Sequence, residues 1–158
     1  MNIHSMFHVN LNCRNFDTSL AFYKALGFTV EIPFPEAGHP AVSEGLGVGP
    51  HLVKGALLRL GDEPHATRLD LLEWLSPRNE APSPLTLSDP GIVRIALASS
   101  DFEADVKRLE ALGVAFISKP IYRPSPNGPQ PMFVCFRDPD GNVLELVNRP
   151  RPLAGPAA

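Results

Sequence analysis

One feature constrains this 158-residue chain more than any other, an internal repeat. The segment HVNLNCRNFDTSLAFYKALGF, His8 to Phe28, aligns without a gap on RIALASSDFEADVKRLEALGV, Arg94 to Val114. The offset is 86, the interval from His8 to Arg94. Leu11 falls on Leu97, Phe16 on Phe102, and Ala25-Leu26-Gly27 on Ala111-Leu112-Gly113. A chain that repeats one local pattern is expected to repeat one supersecondary unit.

The physics of each copy is the same. Phe7, Val9 and Leu11 alternate with His8, Asn10 and Asn12, the period of a strand with two unlike faces. Asp17 or Thr18 then stands where a cap is expected, before a helical stripe of Leu20, Phe22, Tyr23 and Leu26. Gly27 is placed to end that helix in a left-handed conformation. In the second copy Asp101 is the expected cap, Phe102, Val106 and Leu109 the stripe, and Gly113 the stop.

The copies also close alike. LDLLEWL, Leu69 to Leu75, is set over GNVLELV, Gly141 to Val147, with Glu73 on Glu145. That interval is 72, so the first copy carries 14 extra residues, assigned to the Pro/Gly-rich PFPEAGHPAVSEGLGVGP. Between helix and last strand each copy has room for two more strands, near Thr29–Ile32 and His51–Leu60, and near Ala115–Ile117 and Met132–Arg137. The result is an α+β fold of two βαβββ modules. They are expected within one domain spanning 1–149, module one at 6–76 and module two at 91–149. A Pro-rich linker is expected at 77–90 and a disordered tail at 150–158. The 18 prolines mark loops, because proline cannot pair inside a central strand.

In FRDPDGNVLELV, the DPDG run has the residue types of a tight turn and lacks the further oxygens of a calcium loop. Glu145 follows in the middle of an apolar strand, as Glu73 does in its own. A carboxylate so placed must be paired, hydrogen-bonded or metal-bound.

Composition narrows the partners. A net charge of −3 without a basic stripe argues against nucleic acid. No apolar run approaches the roughly 20 residues of a membrane span. Cys13 and Cys135 have no CxxC spacing, and with no visible secretion signal they read as free thiols of a cytoplasmic protein.

Two βαβββ modules, each ending in a mid-strand glutamate, with FRDPDGNVLELV closing the second, resemble the vicinal oxygen chelate superfamily. The superfamily includes glyoxalase I, extradiol dioxygenases and bleomycin-binding proteins. The resemblance covers roughly Met6 to Val147. It implies curved mixed sheets around a cup-shaped site, with ligands drawn from the first and last strand of each module. On this sequence those positions are His8, Glu73, Arg94 and Glu145. The family's second module usually offers histidine where GIVRIAL places Arg94.

Two readings follow. In one, His8, Glu73 and Glu145 hold a divalent metal (Zn, Mn, Fe, Co or Ni), and no nucleotide cofactor is needed. Glu145 or Glu73 then serves as proton acceptor in isomerase, lyase or dioxygenase chemistry on a small organic acid or carbonyl compound. In the other, Arg94 replaces the metal's charge by pairing with a carboxylate, and the protein sequesters a small molecule without metal. Arg94 and Asn10 are the substrate-binding candidates in either case, and a homodimer is the expected assembly.

Overall fold

The computed structural model describes residues 2–79 and 86–149. The expected tail at 150–158 and part of the expected linker lie outside the described residues. The chain divides into two compact units, Met1–Pro82 and Ser83–Ala158.

The first unit runs β1 (His8–Cys13), α1 (Phe16–Ala25), β2 (Phe28–Ala37), α2 (Pro40–Leu46), β3 (Leu52–Leu60) and β4 (Arg68–Ser76). Its sheet has the order β1-β4-β3-β2, with β1 parallel to β4 and the other pairs antiparallel. The second unit runs β5 (Ile95–Ser99), α3 (Phe102–Ala111), β6 (Ala115–Phe116), β7 (Ile121–Arg123), β8 (Gln130–Arg137) and β9 (Val143–Asn148). Its order is β5-β9-β8-β6, with β7 also on β8 and β5 parallel to β9. Both units therefore have the βαβββ plan that the repeat predicts.

The helices start and stop for local reasons. Asp101 caps α3 as expected, its Oδ1 accepting from Ala104 N at 3.2 Å. In α1 the cap is Asn15, whose Oδ1 accepts from Thr18 N at 2.9 Å, and not Asp17 or Thr18. Asn15 is the repeat partner of Asp101, so the two caps obey the 86-residue offset. Gly27 and Gly113 follow the helices at φ 101° and 68°, conformations that a Cβ would strain.

Helices α1 and α3 each pack on one face of their sheet. In the first unit Tyr23 is buried and meets Phe28 edge-on at 5.5 Å, while Ala56, Leu58, Leu69 and Leu71 supply the buried strand residues. In the second unit Phe102, Val106 and Leu109 of α3 are buried, as are Val134, Phe136, Leu144 and Leu146 of the sheet. Full burial of a side chain such as Phe136 or Leu144 stabilises by roughly 2–3 kcal/mol.

Proline misled in more than one place: Pro131 lies inside β8, opposite Tyr122 of β7, and Pro40 opens α2. Pro33 and Pro35 lie inside β2, which pairs with β3 from Phe28 to Ala37. β2 ends the sheet order, and an edge strand tolerates residues that cannot donate. The rest of that long connection forms α2. In the second unit β7 is an added short strand, on β8.

Candidate functional site

Register decides which side chains share a face. Along β1 and β4, His8 stands opposite Arg68, Asn10 opposite Asp70, Asn12 opposite Leu72 and Cys13 opposite Glu73. Side chains alternate, so His8, Asn10, Asn12, Arg68, Asp70, Leu72 and Trp74 lie on the face away from α1. Glu73 lies on the α1 face with Leu69 and Leu71.

Glu73 has its own explanation there. It is 4% exposed. Its Oε2 accepts from Phe16 N at the start of α1, at 2.8 Å. Its Oε1 accepts from Arg78 Nη1 at 3.2 Å, and Lys54 Nζ lies 3.5 Å from Oε2. The carboxylate thus satisfies a helix-end donor and is matched by two cations. Desolvation opposes the charge on Lys54, yet Glu73 and Asp17 together hold its ammonium above the ordinary lysine range.

The residue that does meet His8 is Asp70. His8 Nε2 lies 3.9 Å from Asp70 Oδ2, and Asn10 Nδ2 donates to the same oxygen at 3.3 Å. Asp70 Oδ1 is buried without a hydrogen-bond partner. In the second unit Ala96 stands opposite Glu145 just as Asn10 stands opposite Asp70. The structural repeat partner of Glu145 is therefore Asp70, an interval of 75, in place of Glu73 at 72. The first unit's insertion shrinks accordingly from 14 residues to 11. Glu73 instead matches Asn148, the partner of Ser99 as Glu73 is of Cys13. The signal was present in the sequence: Leu69-Asp70-Leu71 repeats Leu144-Glu145-Leu146. Matching glutamate to glutamate concealed it.

In the second unit Arg94 and Glu145 form an ion pair, Nε to Oε2, at 3.1 Å. The glutamate side chain is 12% exposed and the arginine 46%. Cys135 of β8 is opposite Glu145 on the same face. Burial, and then the Glu145 charge, push its thiol above the ordinary range, with Arg94 partly offsetting both. Below these strands the DPDG turn is structural: Asp138 Oδ1 accepts from Asp140 N and Asn142 N at 2.9 and 2.8 Å, and Oδ2 from Asn142 Nδ2 at 2.9 Å.

The expected ligand set of His8, Glu73 and Glu145 does not fit a metal as these residues are placed. His8 and Glu73 occupy opposite faces of one sheet, and Glu73 is already satisfied. Among the described residues no group of three or more His, Cys, Asp or Glu side chains is arranged to hold a metal ion.

His51 Nδ1 is 2.7 Å from Ser43 Oγ of α2, and its ring lies 5.3 Å from that of Trp74. Trp74 is half-buried on the face away from α1, its indole N–H donating to Asn12 Oδ1 at 3.0 Å.

Comparison with known proteins agrees with this architecture. The family model Glyoxalase/Bleomycin resistance protein/Dioxygenase superfamily matches residues 5–146. No curated protein matches the chain. Among solved structures, a glyoxalase family protein of Bacillus cereus superposes with TM-score 0.78 at 18% identity, over 94% of this chain and 95% of that one. Trypanothione-dependent glyoxalase I of Leishmania major gives 0.60 at 20% identity, over 92% and 87%. A glyoxalase family protein of Enterococcus faecalis gives 0.60 at 21%, over 94% and 100%. At these identities the likeness is one of fold.

Proposed function

Because the chain belongs to the Glyoxalase/Bleomycin resistance protein/Dioxygenase superfamily, we propose that it is a small-molecule-binding protein in which Arg94 supplies the fixed positive charge. The observation that carries this reading is the Arg94–Glu145 pair at 3.1 Å. Arginine donates no lone pair to a metal and stays protonated, so it acts as a permanent cation. Glu145 orients the guanidinium from one side, and the exposed remainder is available to a ligand carboxylate or phosphate. Glu73 is assigned to the structure of the first unit and not to chemistry.

The test is calorimetric titration of chelator-treated protein with short carboxylates and inorganic phosphate. Wild type is expected to bind at least one of them. Arg94→Lys keeps the charge but loses the planar fork and is expected to weaken binding about tenfold. Arg94→Met is expected to abolish it. Undiminished binding by Arg94→Met, or binding by wild type that vanishes on chelation, overturns the reading.

A catalytic reading has one observation in its favour, the His8–Asp70 pair at 3.9 Å. An imidazole held beside a carboxylate is suited to move a proton in isomerase or lyase chemistry on a small organic acid or carbonyl compound. Under that reading His8→Gln removes turnover and leaves Arg94-dependent binding intact. The proposed setting is a homodimer in the cytoplasm. Edge strands β1 and β2 support the first part, and two buried free cysteines support the second. Light scattering that gives a monomer mass at micromolar concentration counts against the dimer. Among the described residues no helix is long and apolar enough to cross a membrane.

A further inference from the structure

The first unit carries a second arrangement, independent of Arg94, on its face away from α1. Trp74 sits there half-buried and held from two sides. Asn12 Oδ1 takes the indole N–H at 3.0 Å, and the His51 ring lies at 5.3 Å and 44° to it. His51 is in turn fixed by Ser43 at 2.7 Å. With its polar edge committed, the ring has its π-face to offer. Asn10 and Asn12, beside it on β1, are exposed, so this face is reachable.

Four residues along β4, on the same face, stands Asp70. That spacing is roughly 13 Å of strand. Its charge is balanced differently from that of three other carboxylates, Glu145, Glu73 and Glu31. Glu145 has Arg94, Glu73 has Lys54 and Arg78, and Glu31 has Arg68. Among the described residues Asp70 has no lysine or arginine within ion-pair distance, and its one ionisable partner is His8 at 3.9 Å. Its Oδ1 also lacks a hydrogen-bond donor. An aromatic face and an unneutralised carboxylate, separated by a short apolar and amide surface, match an aromatic ring joined by a short tether to an ammonium group.

The geometry points to an aryl-amine subsite on this face, with Trp74 taking the ring and Asp70 the ammonium. The amide groups of Asn10 and Asn12 border the tether.

Trp74 is the chain's one tryptophan, so its emission reports on this site alone. The probe is phenylbutylamine, titrated against selectively excited wild-type protein. Phenylbutanol lacks the charge, phenylbutyrate reverses it, and cyclohexylbutylamine lacks the aromatic face. The amine is expected to change Trp74 emission and to bind about tenfold tighter than each of the three controls. Asp70→Asn is expected to erase the preference for amine over alcohol while the emission change persists. Arg94→Met is expected to leave the amine titration unchanged, so the failure of either proposal can be told from the failure of the other. The inference is overturned if the amine leaves the emission unaltered, or if wild type binds amine and alcohol alike. If Asp70→Asn does not fold, as judged by circular dichroism, the four-probe series on wild type still decides.

Discussion

At one register position the first unit carries His8 and Asp70, 3.9 Å apart, and the second carries Arg94 and Glu145, 3.1 Å apart. The backbone around the two pairs is the same: a parallel first and last strand, with Asn10 opposite Asp70 and Ala96 opposite Glu145. One pair sets an imidazole beside a carboxylate, whereas the other sets a guanidinium there, a permanent cation. The opposite faces of the same strands differ as sharply. Glu73 ties β4 to the start of α1 and to two cations, and its counterpart Asn148 makes a single neutral bond to Pro131 O at 3.1 Å. The repeat thus fixes topology through apolar spacing and caps, while the polar positions are free to diverge.

The largest expected effect lies on the helix faces. Glu73→Ala removes the carboxylate that Phe16 N, Lys54 and Arg78 share, leaving Lys54 only Asp17, and is expected to cost about 3 kcal/mol. Asn148→Ala, at the matching place, is expected to cost about 1 kcal/mol. Urea denaturation of the two variants tests this. Equal losses would mean that Glu73 is no more a structural keystone than its counterpart.

The turns before β4 and β9 come next. Asp138 is buried and accepts from two backbone amides and one side chain, whereas Asp62, between β3 and β4, is exposed. Asp138→Ala is expected to cost about 2 kcal/mol. Asp62→Ala is expected to stay within about 0.5 kcal/mol of wild type. A thermal midpoint that falls equally in both removes the distinction.

The sequence revealed the modules because helix stripes, glycine stops and strand alternation are local properties. It revealed Arg94 and Glu145 as neighbours because the family resemblance draws site residues from the first and last strand of each module. It did not reveal Asp70. A three-residue shift in register exchanges the two faces of a strand, and both Glu73 and Asp70 sit among leucines. The identity of residue type favoured the wrong shift, and the partners of Glu73, Phe16 N and Arg78, are contacts that spacing along the chain does not encode. Strand β2 was cut short for a related reason. Its prolines forbid a central strand, but edge position is a property of the assembled sheet.

The two pairs themselves are expected to differ modestly in stability. Arg94→Ala strands a carboxylate that is 12% exposed, but the arginine is 46% exposed, so solvent screening limits the loss to about 1 kcal/mol. His8→Ala, with a longer contact and a half-exposed ring, is expected to cost under about 0.5 kcal/mol. Denaturation at low and high salt sharpens the contrast: the Arg94 effect should shrink with salt, because an exposed ion pair is screened.

The smallest expected effect is confined to the first unit and concerns acid. Arg68 meets Glu31 with two bonds, Nε to Oε2 at 2.7 Å and Nη2 to Oε1 at 2.9 Å. The hydrogen bond from Arg68, followed by its charge and that of Arg59, holds the Glu31 carboxyl below its ordinary range against the opposing effect of desolvation. A carboxylate whose folded value is lowered binds a proton more readily when unfolded. Its contribution is therefore present above the ordinary glutamate value and is lost as pH falls through the lower, folded one. The second unit has at this point only the two-residue strand β6 and no matching ion pair among the residues described. Glu31→Gln should leave stability below that window unchanged and reduce it slightly above, flattening the acid limb of the stability profile. Urea midpoints measured from neutral pH downward test it. An acid limb as steep in Glu31→Gln as in wild type would place the acid sensitivity on other carboxylates.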